Sequence, residues 1–139
     1  MSTSSNIAYY DTETSLIHCV YCHSDGYPSW NGKILLENYN DDDKIKELIS
    51  FGDMSSLNKN IHPTGPHTFN YNNREEGVCV FYGRDRGYSD VEAKIFTNEE
   101  DFLKYGDNDY TYYYKDSVWL FKHYKGNFKP LTTKEIEED

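Results

Sequence analysis

Three groups of residues in this chain have types and spacings that could do chemistry. The first is Cys19-Val20-Tyr21-Cys22-His23, a C-x-x-C-H pattern. That spacing attaches haem in exported c-type proteins and, with a second paired set, holds zinc. Both uses need side chains that converge. Residues 14–23 are rich in β-branched and aromatic types and predict a strand. Side chains three apart in a strand point to opposite faces, so the two sulfurs diverge. Spacing alone allows a mixed metal site from Cys22, His23, His62 and His67, but buried strand cysteines are the simpler reading. Cys79 stands between two valines, as a core residue would. A Cys–His nucleophile pair meets the same objection, because strand neighbours point apart. The chain has no P-loop, dinucleotide fingerprint or G-x-S-x-G. No metal, cofactor or catalytic set is therefore expected.

The second group is two polar turns, residues 23–27 (HSDGY) and 83–87 (GRDRG). Each follows a predicted strand, where a rigid scaffold often presents binding residues. If those strands are neighbours running the same way, His23, Asp25, Arg84, Asp85 and Arg86 share one rim. There His and Asp would do acid–base work, and the arginines would hold phosphate or carboxylate. The plainer reading is preferred: Asp25 and Asp85 make Asx-turns and the arginines pair with them.

The third group is acidic. Residues 37–53 carry Glu37, Asp41, Asp42, Asp43, Glu47 and Asp53 against two lysines. Residues 97–139 carry ten acids, among them Glu99, Glu100, Asp101, Asp107 and Asp109, against six lysines. Such clusters are commonly solvated faces. The functional alternative is a surface whose carboxylates stand in for nucleic-acid phosphates before a basic protein groove.

The elements that must position these groups follow from pattern. Residues 1–13 read as a flexible N-terminal arm, 14–124 as a single domain, and 125–139 as a charged tail. The clearest helix is 41–51, with Ile45, Leu48 and Ile49 on one face, Asn40 or Asp41 as cap and Gly52 as its stop. A short helix over 32–39 precedes it, and residues 53–57 read as a turn. Residues 58–73 read as a long surface loop. Residues 77–82 (GVCVFY), apolar after the glycine, predict a central strand. Residues 91–96 predict another strand. Thr97 and Glu100 form a capping-box pattern that opens a helix over 97–105. Residues 110–115 and 118–124 flank Asp116-Ser117 as a hairpin. That order predicts an α+β fold: a mostly antiparallel sheet of about five strands, with two or three helices on one face.

Totals narrow the class further. The 139 residues suit one core, and 14 tyrosines, 7 phenylalanines and 2 tryptophans argue against disorder. A net charge of -10 disfavours direct nucleic-acid binding and suits a basic protein partner. No segment approaches a membrane span, and the N-terminus lacks the layout of a signal peptide. Three cysteines without secretory context read as reduced thiols, so a cytoplasmic location is expected.

The segments CHSDGYPSWNGKILLENY, LISFGDMSSL and FYGRDRGY resemble a widespread family of small phage and prophage proteins. The matched positions are Cys22, His23, Asp25, Gly26, Tyr27, Gly32, Leu35, Tyr39, Gly52, Asp53, Ser55, Leu57, Tyr82, Arg84, Asp85, Arg86 and Gly87. Ser24 departs from the Trp that members often have, and Tyr88 from their Glu. The resemblance implies a virus or mobile element acting in a bacterial cytoplasm, and it supplies no reaction. The leading expectation is a non-enzymatic accessory protein that binds and inhibits a host defence factor, of anti-CRISPR or anti-restriction type. A small-ligand or nucleotide binder, or an enzyme, using the two turns is one alternative. A virion or assembly protein is another.

Overall fold

The computed structural model describes residues 3–63, 77–105, 109–123 and 126–137. Within them, eight strands form one mixed sheet. Strands β1 (Ser5–Asp11) and β2 (Leu16–Cys22) make an antiparallel hairpin at its centre. On one side, β1 pairs in parallel with β6 (Tyr110–Lys115), which turns back into β7 (Val118–His123) and then β8 (Lys129–Pro130). On the other, β2 pairs with β5 (Lys94–Phe96) and, at Cys22, with β3 (Met54–Ser56). β3 in turn pairs with β4 (Val80–Phe81). Five of these seven pairings are antiparallel, so the expected class holds while the strand count is higher.

The extra strands come from segments that looked too polar or too short. Residues 1–13 are not a loose arm. Ser5, Asn6, Ile7 and Ala8 are fully buried in β1, the strand between β2 and β6. Ser5 and Asn6 disguise it, because their polarity breaks the apolar run. Both faces of β1 are covered, so no in–out alternation marks it either. The charged tail likewise contains β8 and the helix α5 (Thr133–Glu137). Leu131 anchors it: its side chain is buried and its N–H donates to the Trp119 carbonyl at 2.9 Å. Residues 54–56 are a strand, not a turn. The GVCVFY segment ends the sheet at β4 and is not central; Cys79 and Phe81 pack in the main core, and Val78 makes an added bridge with Asn60.

The helices also depart from a one-sided layer. A π-helical turn, Pro28–Gly32, runs into α1 (Lys33–Asn38), and α2 (Asp42–Ser50) follows. Leu35, Ile45, Leu48 and Ile49 pack with Ile7, Val20, Cys22, Tyr112 and Phe121 in the main core. The helix α4 (Glu99–Leu103) lies against the other face, where Phe102 packs with Ala8, Ile17, Cys19 and Tyr113. Cys19 and Cys22 thus sit in separate cores on opposite faces, as the strand period requires.

Local details follow the sequence closely in α2 and in the last hairpin. Asp41 caps α2 by accepting from Asp43 N–H at 3.0 Å. Gly52 sits at φ +83, and a Cβ there would lie 2.3 Å from the Val91 carbonyl oxygen. Asp116 and Ser117 both have positive φ, the geometry of a tight two-residue hairpin turn. At α4 the cap is one residue later than the capping-box pattern suggests. Asn98 Oδ1 accepts from Asp101 N–H at 2.8 Å, while Glu100 pairs forward with Lys104 at 3.3 Å.

Candidate functional site

The two polar turns do not share a rim. β2 runs parallel to β3, and β3 antiparallel to β4, so β2 and β4 run in opposite directions. Cys22, Met54 and Phe81 lie in one row across these strands. From that row the chain leaves β2 one way, with Ser24 N–H bonding the Ser55 carbonyl, and leaves β4 the other way, with Tyr82 N–H bonding the Asp53 carbonyl. The condition for His23 and Asp25 to converge with Arg84 and Asp85, neighbouring strands that run the same way, is not met.

Each turn is instead occupied by the fold. In the first, Asp25 adopts φ 56 and its Oδ1 accepts from the Tyr27 hydroxyl at 3.1 Å. Its carbonyl accepts from Asn31 N–H. Gly26 lies directly against β1: a Cβ would stand 2.7 Å from the Ser4 carbonyl oxygen. Gly26 N–H donates to the Thr3 carbonyl at 2.7 Å, and its own carbonyl accepts from the Tyr112 hydroxyl at 2.6 Å. The turn therefore clamps the start of β1 to β6. His23 is exposed, and its Nδ1 lies 2.8 Å from the Tyr21 hydroxyl.

The second segment is not a turn but the short helix α3 (Tyr82–Arg86), closed by Gly87 at φ 76. Asp85 reaches back to accept from Phe81 N–H at 2.8 Å, which satisfies an orphan amide at the helix start. Its oxygens also take Arg84 Nε at 2.9 Å and an Arg84 terminal nitrogen at 3.0 Å. The rest of the guanidinium donates to the Ile61 carbonyl at 2.6 Å and the Cys79 carbonyl at 3.0 Å, and it lies over the Phe81 ring. Arg84 thus has all three guanidinium nitrogens engaged within the protein. The preferred reading, in which an arginine pairs with its neighbouring aspartate, describes it.

Asp53 is the acid that sequence reasoning placed wrongly. It is not part of an acidic surface but half-buried between β2 and α3. Its Oδ1 accepts from Tyr21 N–H at 2.9 Å, and its N–H donates to the Val91 carbonyl at 2.7 Å. Loss of hydration raises its carboxyl above the usual aspartate range, partly opposed by the Tyr21 bond. Tyr21 and Tyr82 lie close by, and Tyr82 stacks on Tyr88 at 5.7 Å. The matched segments thus meet around Asp53 through backbone bonds. The signal that pointed there was the pattern G-D-x-S-x-L itself, not charge.

The acids of α1 and α2 and those of α4 lie on opposite faces of the sheet. On the α1–α2 side, Glu37, Asp41, Asp42, Asp43 and Glu47 are all exposed. Glu47 pairs with exposed His62 at 3.2 Å. The lysines of α2 fold back: Lys44 Nζ donates to the Lys59 carbonyl and lies 4.6 Å from the Tyr39 ring centre, and Lys46 lies near Asp11. On the α4 side the carboxylates have local partners. Glu99 Oε2 accepts from Lys115 Nζ at 2.9 Å and the Tyr113 hydroxyl at 3.0 Å. Glu100 pairs with Lys104, Asp101 bonds Asn98, and Asp109 accepts from Ser4 N–H. The acids of α4 thus lie across the sheet from those of α1 and α2, whereas the tail helix α5 packs on the α1–α2 side through Ile136. Asp107 and His67 lie outside the described residues, as does the side chain of Arg86.

The cysteines are free and buried. Burial pushes the Cys22 thiol up to about 12 and raises those of Cys19 and Cys79. That is the opposite of what a nucleophilic thiolate needs. Among the described residues, no group of three or more His, Cys, Asp or Glu is placed to hold a metal ion, and no helix is long and apolar enough to cross a membrane. Compared with known proteins, the chain matches no family model, no curated protein and no solved structure.

Proposed function

We propose that this protein works by binding, with the carboxylates of the α1–α2 face set against a basic groove of a nucleic-acid-binding protein. In the setting its motifs resemble, it is an accessory phage protein that inhibits a host defence factor of anti-CRISPR or anti-restriction type. One observation carries the reading: Glu37, Asp43 and Glu47 are exposed while Lys44 and Lys46 are drawn back against the body. The α2 part of the face therefore presents negative charge with its own two cations drawn in, while Lys33 of α1 stands exposed. The commitment of Arg84 and Asp85 to internal bonds counts against a ligand site in the matched turns.

The test is capture of basic nucleases from a bacterial host by the tagged protein. Binding should weaken steeply as salt rises and should be competed by duplex DNA, because screened charges lose reach beyond about 8 Å at physiological ionic strength. The variant E37Q/D43N/E47Q should bind at least tenfold more weakly. Salt-insensitive capture, or full binding by that variant, removes the phosphate-mimic reading.

A further inference from the structure

The α4 side of the sheet carries a feature that binding through α1 and α2 does not use. A cleft of about 240 Å³ opens between α4, β6, β7 and the segment before β8. Phe102, Leu103, Tyr113, Leu120 and Phe128 form its apolar walls, and Glu99 and Lys115 form its rim. The three rings stand at mutual distances of 4.9, 5.7 and 6.3 Å between centres. An apolar cavity of about 150 Å³ is already large enough to take up benzene. This one is larger, and Leu103 at its edge remains half exposed.

The rim decides what kind of molecule fits. Glu99 and Lys115 neutralise each other at 2.9 Å, so a charged ligand would have to compete with that pair. The Tyr113 hydroxyl is engaged as a donor to Glu99 Oε2, as is Lys115 Nζ. Glu99 Oε1 makes no hydrogen bond to any described residue. It can therefore accept a proton donor from a molecule seated on the rings.

We propose that this cleft is a binding site for a small neutral aromatic molecule carrying one O–H or N–H, of the phenol or indole kind. The ligand ring lies on the outer side of this ring cluster, against Phe128, Leu120 and Leu103, where offset and edge-on contacts to Phe128 are favourable. The donor reaches Glu99 Oε1. Anionic analogues of the same size are discriminated against because the free acceptor they would meet is itself a carboxylate oxygen.

Phenol, indole, toluene and benzoate serve as probes, titrated into the full-length protein with the aromatic resonances of Phe102 and Phe128 followed by NMR. Phenol and indole should shift those resonances saturably, and benzoate should bind at least tenfold more weakly. L103W places an indole ring over the mouth from a half-exposed position and should weaken phenol at least tenfold. E99Q swaps one carboxylate oxygen for an amide and should weaken phenol at least threefold while leaving toluene unchanged, a split that general damage to the fold would not produce. No saturable shift up to the solubility limit of indole overturns the proposal. So does binding by L103W equal to wild type. Equal losses of phenol and toluene in E99Q overturn the assigned role of Glu99.

Discussion

The matched turns and the α1–α2 face are both rich in charge, yet they spend it differently. Arg84 and Asp85 satisfy each other, an amide at the start of α3 and the backbone carbonyls of Ile61 and Cys79. Glu37 and Asp43 stand exposed, and exposed Glu47 meets His62 at the surface. The first kind of charge is cheap to interpret structurally, since removing it leaves buried groups without partners. The second kind has little to do with folding. A conspicuous motif can therefore mark where a fold is locked, while an unremarkable run of acids marks where it meets other molecules.

The sharpest way to break this contrast is Arg84→Ala. Asp85 is almost completely buried, with its side chain 4% exposed, and would lose its counter-ion. The Ile61 and Cys79 carbonyls would lose their donor. Breaking a buried pair by removing one partner costs about 3–5 kcal/mol. Urea unfolding should show a loss of that size. A loss under about 1 kcal/mol would mean that the α3 segment is not the lock described here.

Asp53 offers a finer test, because its carbonyl, N–H and side chain join three segments. Asp53→Ala strands the Tyr21 N–H and should cost about 1–3 kcal/mol. Asp53→Asn keeps the acceptor and removes a half-buried charge. The carboxyl is raised by desolvation, so the folded protein holds this proton more tightly than the unfolded chain does. Wild-type stability from this group is thus greatest at low pH and falls as pH rises from the ordinary aspartate range through the raised folded value. At pH 7 the Asn variant should equal or exceed wild type, and its advantage should vanish on acidification. An Asn variant as damaged as the Ala variant would show that the charge itself is needed.

How much of this was legible depends on whether the cue was local. The helix α2 was readable because Ile45, Leu48 and Ile49 repeat at helical spacing beside a capping aspartate. The divergence of Cys19 and Cys22 was readable because the strand period fixes it. β1 was not, since Ser5 and Asn6 are polar residues buried by partners far along the chain, including Asn31, which donates to Ser5 Oγ. The separation of the two turns was not readable either. It depends on β3, a three-residue strand lying between β2 and β4 that reverses the direction of β4 relative to β2. Strand direction is a property of pairing, and no window of sequence contains it.

The smallest expected effect is the one that makes the contrast useful. E37Q/D43N/E47Q changes three exposed side chains and leaves Asp41, the cap of α2, in place. Exposed substitutions of this kind stay within about 0.5 kcal/mol each, and the Glu47–His62 pair is a surface contact of little weight. The unfolding midpoint should therefore sit close to wild type, even if binding to a basic partner collapses. Asp41→Ala makes the matching control: it should cost about 1 kcal/mol through the lost cap, with a much smaller effect on binding than the triple change. If the triple variant unfolds as readily as the Arg84 variant, its acids belong to the fold after all, and the division between locking charge and contact charge fails.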